Sequence, residues 1–136
     1  MPAHKDFSSI TLLFQDRGGG LEFEDPNRPG EFVSAEPTPG ALTLNVGDML
    51  ERLSSGIFRS ATHRVTLPNH GEKLDATSNK ITPARYSIPY FVVPDENEMV
   101  RCFTSCILDE RPLKFEPVTV TEYAADITRY QYKNKK

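Results

Sequence analysis

Residues 3–16 read "AHKDFSSITLLFQD", and they set the terms for the rest of the chain. A β-rich apolar run, Ile10–Phe14, follows a short polar lead containing His4 and Asp6. In an extended strand the side chains at i and i+2 share a face. His4 and Asp6 are therefore expected to converge on one side, with Lys5 turned to the other. An imidazole beside a carboxylate is half of a metal site or half of an acid–base pair. The same spacing also arises wherever a strand simply begins with polar residues.

Outward from this stretch the chain reads as short strands separated by turn residues. "SITLLFQD" ends at "RGGG"; "LEFED" and "EFVSAE" flank "PNRPG" as a hairpin with a longer loop. "ALTLNVG" alternates as a half-buried strand does. "ATHRVTL" and "RYSIPYFVV" are two further strands, and "MVRCFTSCIL" is expected to be another. Two helices are predicted. Asp48 is placed as the cap of a short one over "MLERLSS", with Glu51 at its third position and Gly56 past its end. The second covers about Val120–Tyr132. Thr119 and Glu122 form its capping box, Tyr123, Ile127 and Tyr130 line one face, and lysines 133, 135 and 136 suit its C-terminal dipole. Eleven prolines and eight glycines, mostly between apolar runs, agree with an all-β body and a C-terminal helix.

With 136 residues the chain has the size of one domain. A net charge of −3 supplies no basic field, which argues against nucleic acid and anionic membranes as partners. No apolar run is long enough to span a bilayer. "MPAHKDFSS" lacks the basic and apolar regions of a signal peptide, so the expected location is cytoplasmic. Cys102 and Cys106, in "CFTSC", have no partners at zinc-ligand spacing and are expected to be unpaired thiols.

Besides His4 the chain has two histidines. His70 lies in the polar "LPNHGEKLD", where a solvated side chain is the default. His63 lies in "SATHRVTL". His4, Asp6 and a distant His63 make two imidazoles and one carboxylate. That set can occupy one face of an octahedron and leave three positions open, as non-haem Fe(II) oxygenases require; zinc accepts the same ligands. In "PARYSIPYF", Arg85 and Ser87 are again two apart. A guanidinium fork and a hydroxyl facing one way make a receptor for a carboxylate.

H-x-D, a distal His and R-x-S in this order resemble the isopenicillin N synthase-like Fe(II)/2-oxoglutarate-dependent dioxygenases, in their C-terminal catalytic part. The resemblance also rests on "PGALTLNVGDMLERLSSGIFRSATHRV", "ARYSIPYFVVPD" and "SCILDERPLKFEPVTVTEY". It implies a double-stranded β-helix, a jelly roll lacking its first strand, over residues 1–115, with a helical extension over 116–136. It implies Fe(II) on His4, Asp6 and His63, and 2-oxoglutarate held through its far carboxylate by Arg85 and Ser87. O2 is then consumed, 2-oxoglutarate is decarboxylated to succinate, and a C–H bond of a small organic substrate is oxidised. Asn45 and its apolar neighbours would line the barrel without a chemical role. Lys5 stands where relatives often have a small or hydroxyl residue, and the loop from Thr66 to Pro83 is longer than in many. Family members are about twice as long, and their N-terminal half has no counterpart here. This predicts a fraying His4 and self-association through uncovered surface. Two other readings stay open: a catalytically impaired family remnant that binds metal or a partner chain, and a 2-oxoglutarate-independent oxidase of the isopenicillin N synthase type.

Overall fold

The computed structural model describes residues 1–66, 84–110 and 112–133, the last four of them as helix backbone only. His70, the loop through Pro83, the Tyr130 side chain and the C-terminal lysines lie outside the described residues. Among the described residues, eight strands and two α-helices follow in the order β1 (Ile10–Gln15), β2 (Leu21–Glu24), β3 (Phe32–Ser34), β4 (Thr43–Val46), α1 (Asp48–Leu53), β5 (His63–Val65), β6 (Ser87–Val92), β7 (Met99–Val100), β8 (Val118–Thr119) and α2 (Val120–Lys133). Their sheets run β4–β1–β6, β3–β2–β5 and β7–β8. Among the described residues no helix is long and apolar enough to cross a membrane.

Two compact units are present. The first comprises Met1–His4, Leu12–Leu44 and Thr62–Tyr90. Here β2 and β3 form the expected antiparallel hairpin, with Phe23 opposite Val33. Its loop is closed by Asp25, whose carboxylate accepts the Asn27 N–H and the Arg28 Nε–H. On its other edge β2 pairs antiparallel with β5, setting Phe23 opposite His63. Arg64 then reaches across to Glu22 and lies 4.1 Å over the Phe32 ring.

The second unit comprises Lys5–Thr11, Asn45–Ala61 and Phe91–Lys136. Its core is Met49, Val100 and Val120, with Phe7, Leu53, Val118 and Tyr123 packed around them. The α2 capping box forms as predicted. Glu122 Oε2 accepts the Thr119 N–H at 3.0 Å, and Thr119 Oγ1 accepts the Glu122 N–H at 3.2 Å.

Helix α1 departs from expectation at its start. Gly47 is the cap residue, without a side-chain cap bond, and Asp48 is already helical. The reason is a set of acceptors elsewhere: the Asp48 and Met49 N–H groups, two orphan donors of the first turn, bond the backbone carbonyls of Asp6 and Ser8. Past the helix, Gly56 takes a positive φ of 81°, as its placement there requires. The expected strand over "MVRCFTSCIL" stops at Val100. Phe103 N–H turns to the Leu53 carbonyl, and a 3-10 turn forms at Thr104–Cys106. Its partner β8 is only two residues long, so the ladder has nothing further to pair with. Neither Cys102 nor Cys106 is in a disulfide.

Candidate metal centre

His4 lies outside any named strand; regular β1 pairing begins six residues later, at Ile10. What holds His4 is β5. His4 and His63 exchange both backbone hydrogen bonds, each 2.9 Å long, and the Val65 N–H reaches the Met1 carbonyl. The four residues from Met1 to His4 thus run antiparallel beside β5, and the fraying expected of them is opposed by a ladder. The two imidazoles end 4.3 Å apart, centroid to centroid, and the His63 ring also rests 5.7 Å from that of Phe23.

The His4 tautomer follows from its neighbour. Nδ1 lies 3.0 Å from the Pro2 carbonyl oxygen, which can only accept, so Nδ1 carries the proton. In the neutral ring Nε2 is then the nitrogen that carries the lone pair. A ligating histidine is typically oriented in this way, through a hydrogen bond from its second ring nitrogen.

Asp6 is buried and is gripped from two sides. The Thr11 hydroxyl donates to its Oδ2 at 2.6 Å, and Asn45 Nδ2 donates to the same oxygen at 2.9 Å. Ser8 Oγ lies 2.9 Å from Thr11 Oγ1. The single Thr11 proton goes to the carboxylate, so Ser8 is the donor in that pair. Sequence reading gave Asn45 no chemical part and passed over Thr11 and Ser8. The available signal was a polar residue at the inward phase of a strand, since Asn45 is buried in β4 while Leu44 is exposed.

One potential ligand atom from each of His4, Asp6 and His63 lies within 4.8 Å of the others. Among the described residues this is the one cluster of histidine, cysteine and carboxylate side chains with that property. Two imidazole nitrogens and a carboxylate oxygen, with one imidazole fixed in its ligating tautomer, are a donor set that fits Fe(II) and also suits Zn(II).

Arg85 and Ser87 stand together as their spacing predicts, with Arg85 Nη1 donating to Ser87 Oγ at 3.0 Å. Arg85 Nε donates to the Gly19 carbonyl at 2.7 Å, which ties the guanidinium to the turn after β1. Asp16 braces the same turn, accepting the Gly18 and Tyr86 N–H groups. The Tyr86 and Gly18 donors, helped by Arg85, hold the Asp16 carboxyl below its ordinary value.

Residues 1–94 match the family model of the 2OG-Fe(II) oxygenase superfamily. The chain belongs to that superfamily. A 2-oxoglutarate-dependent dioxygenase (htyE) of Aspergillus rugulosus is 37% identical over 131 residues, covering 95% of this chain and 36% of that protein. A proline hydroxylase (buaE) of Petromyces alliaceus is 40% identical over 124 residues, covering 89% and 37%. The chain therefore spans little more than a third of the length of these curated relatives. Among solved structures, a full-length Neurospora crassa protein in complex with alpha-KG superposes with a TM-score of 0.79 at 33% identity, over 94% of this chain and 37% of the other. The rice dioxygenase for auxin oxidation does so with 0.81 at 27% identity, over 96% and 40%. The fold is thus that of the superfamily's double-stranded β-helix, followed by a C-terminal helix.

Proposed function

We propose that this oxygenase-superfamily chain carries the Fe(II) and 2-oxoglutarate sites of an enzyme that oxidises a C–H bond of a small organic substrate. The observation that supports this reading is the gathering of His4, Asp6 and His63 within 4.8 Å. His4 and His63 would each give the metal one nitrogen, and Asp6 one oxygen. Bound iron would supply O2 activation coupled to decarboxylation of 2-oxoglutarate to succinate. Arg85 would take the far carboxylate of 2-oxoglutarate, with Ser87 as an additional donor. The Neurospora protein has also been solved with alpha-KG and thymine together. The isopenicillin N synthase-like subclass belongs to this proposal as well, on the strength of R-x-S. In the oxidase form of that subclass, Arg85 and Ser87 would hold the substrate's own carboxylate.

The test is metal binding with succinate release. The chain should bind Fe(II), the His63→Ala variant should not, and His70→Ala should bind as the unaltered chain does. Iron- and O2-dependent succinate formation supports the oxygenase. Tight metal binding without succinate favours the catalytically impaired reading. Failure to bind any divalent metal overturns the assignment.

We also propose that the isolated chain self-associates. Tyr86, Ile88 and Tyr90, at alternate positions along and just before β6, are 73%, 70% and 61% exposed. Adjacent large apolar side chains of this kind form an association surface. Sedimentation as a monomer at micromolar concentration would overturn the proposal.

A further inference from the structure

We propose that the pocket beside α1 is a second ligand site, a receptor for a small oxyanion bearing a carboxylate or a phosphate group. The inference does not depend on the metal assignment. The pocket belongs wholly to the second unit and has a volume of about 220 Å³. That lies below the range of drug-sized sites and suits an ion or a small organic acid. Lys5, Arg52 and Lys114 line it together with Asp48 and Glu51, so cations outnumber carboxylates by one.

How the charges are paired decides where an anion would sit. Glu51 takes both lysines, each at 3.3 Å, and its side chain is largely covered. Asp48 accepts the Tyr123 hydroxyl at 3.2 Å. Arg52 has no carboxylate within salt-bridge distance among the described residues. A guanidinium offers five N–H donors in a planar fork that matches a carboxylate or phosphate. One donor of Arg52, on Nη2, goes to the Glu116 carbonyl at 2.7 Å, and its Nε–H is buried without an acceptor. The other Nη donors are left for a guest. The group is also held in place, with Cζ 4.7 Å from the Tyr123 ring centroid and 5.1 Å from that of Phe115. Lys114 is fixed beside it. Its N–H donates to Ser55 Oγ at 2.9 Å, and its Nζ lies 4.9 Å over the Phe115 ring. Cations held in this way lose little freedom when an anion arrives. Lys5, the residue between His4 and Asp6, turns its ammonium into this pocket and adds a third positive charge.

The experiment titrates the chain, in chelator, with inorganic phosphate or with acetate. Ionic strength is held constant with chloride, and the backbone amide signals of Lys5, Glu51 and Phe115 are followed by NMR. These signals should shift saturably. Arg52→Gln should weaken binding about ten-fold or more, the effect of losing a charge-assisted hydrogen bond. Glu51→Gln should tighten it, because both lysines are released toward the anion. A merely structural role for Glu51 predicts no such gain. Arg85→Lys and His63→Ala should leave the isotherm unchanged, which separates this pocket from the cosubstrate and metal sites. The tighter of the two anions tells a phosphate-bearing ligand from a carboxylate. If Arg52→Gln does not fold, Lys114→Gln replaces it and should weaken binding in the same direction. No saturable shift beyond the chloride control, or an isotherm that Arg52→Gln leaves unchanged, overturns the inference. So does a response lost in Arg85→Lys.

Discussion

A Cβ placed on Gly47 would lie 2.0 Å from the carbonyl oxygen of Ser8 and 2.9 Å from that of Asp6. The backbone just before α1 thus runs directly against the segment that carries Asp6, the proposed carboxylate ligand, and only glycine permits the approach. Since Gly47 has an ordinary φ of −105°, the constraint is space and not backbone conformation. Gly47→Ala should destabilise the chain by about 2–3 kcal/mol or prevent folding, because both clashing atoms are backbone. Gly40→Ala should cost less, about 1 kcal/mol, since its strain comes from a φ of 77° with nothing near the added methyl. Urea denaturation of the two variants checks the ranking.

Arg85 meets the Gly19 carbonyl through Nε and Ser87 through Nη1. A lysine cannot reproduce either the fork or its tie to the turn. Arg85→Lys should weaken 2-oxoglutarate binding about ten- to a hundred-fold, the equivalent of one charge-assisted hydrogen bond at roughly 1.5–3 kcal/mol. Calorimetric titration with metal present would measure it, and unchanged affinity would remove Arg85 from the cosubstrate site.

Thr119 and Glu122 close the N-terminus of α2 reciprocally. Thr119→Ala should lower stability by about 1 kcal/mol, the usual value of an N-cap side chain. Thr119→Ser should retain most of it, as thermal melts would record.

Glu51 and Tyr123 give opposite pH dependences. Burial by itself raises the Glu51 carboxyl, but the Ser60 N–H and then Lys5 and Lys114 outweigh it and hold the group below its ordinary 4.5. A depressed folded pKa means the contribution is complete above 4.5 and is lost as pH falls through the folded value. Glu51→Gln should therefore flatten the acid limb of the stability curve. The Tyr123 phenol is pushed up to about 12, first by burial and then by the Asp48 carboxylate that accepts its hydroxyl at 3.2 Å. Its contribution is present below the ordinary value of 10 and is lost between 10 and about 12. In a spectrophotometric titration, Tyr123→Phe should remove a late-ionising phenol.

Local signals carried well from sequence to structure. The hairpin around "PNRPG", the Thr119–Glu122 box and the Gly56 stop all rest on residues within one turn of each other. H-x-D and R-x-S were legible as motifs, although His4 owes its place to pairing with His63 and not to a strand of its own. The Asn45–Asp6 hydrogen bond was not legible because the two residues are 39 positions apart, a relation no local spacing encodes. The alternation in "ALTLNVG" gives a period but not a phase. Asn45 is buried, and Leu42 and Leu44 are 44% and 54% exposed. Asp48 looked like a cap because its residue type suits one; carbonyls from Asp6 and Ser8 had already filled that need. The length of β7 was likewise set by the short β8 and not by the apolar run around it.

Pro89 sits in the middle of β6, an edge of its sheet. The carbonyls of Tyr86 and Val92 accept the N–H groups of Asp16 and Ser9, which flank β1, so the backbone N–H and C=O groups of even-numbered residues here point toward β1 and those of odd-numbered ones point to the open edge. The amide hydrogen that Pro89 lacks is therefore one that an incoming strand would need. Large apolar side chains are exposed on this edge while its backbone is interrupted. Copies of the chain that meet here can cluster, but they have no continuous row of donors along which to polymerise. If the proposed self-association runs through β6, it should be reversible and should not grow into fibres.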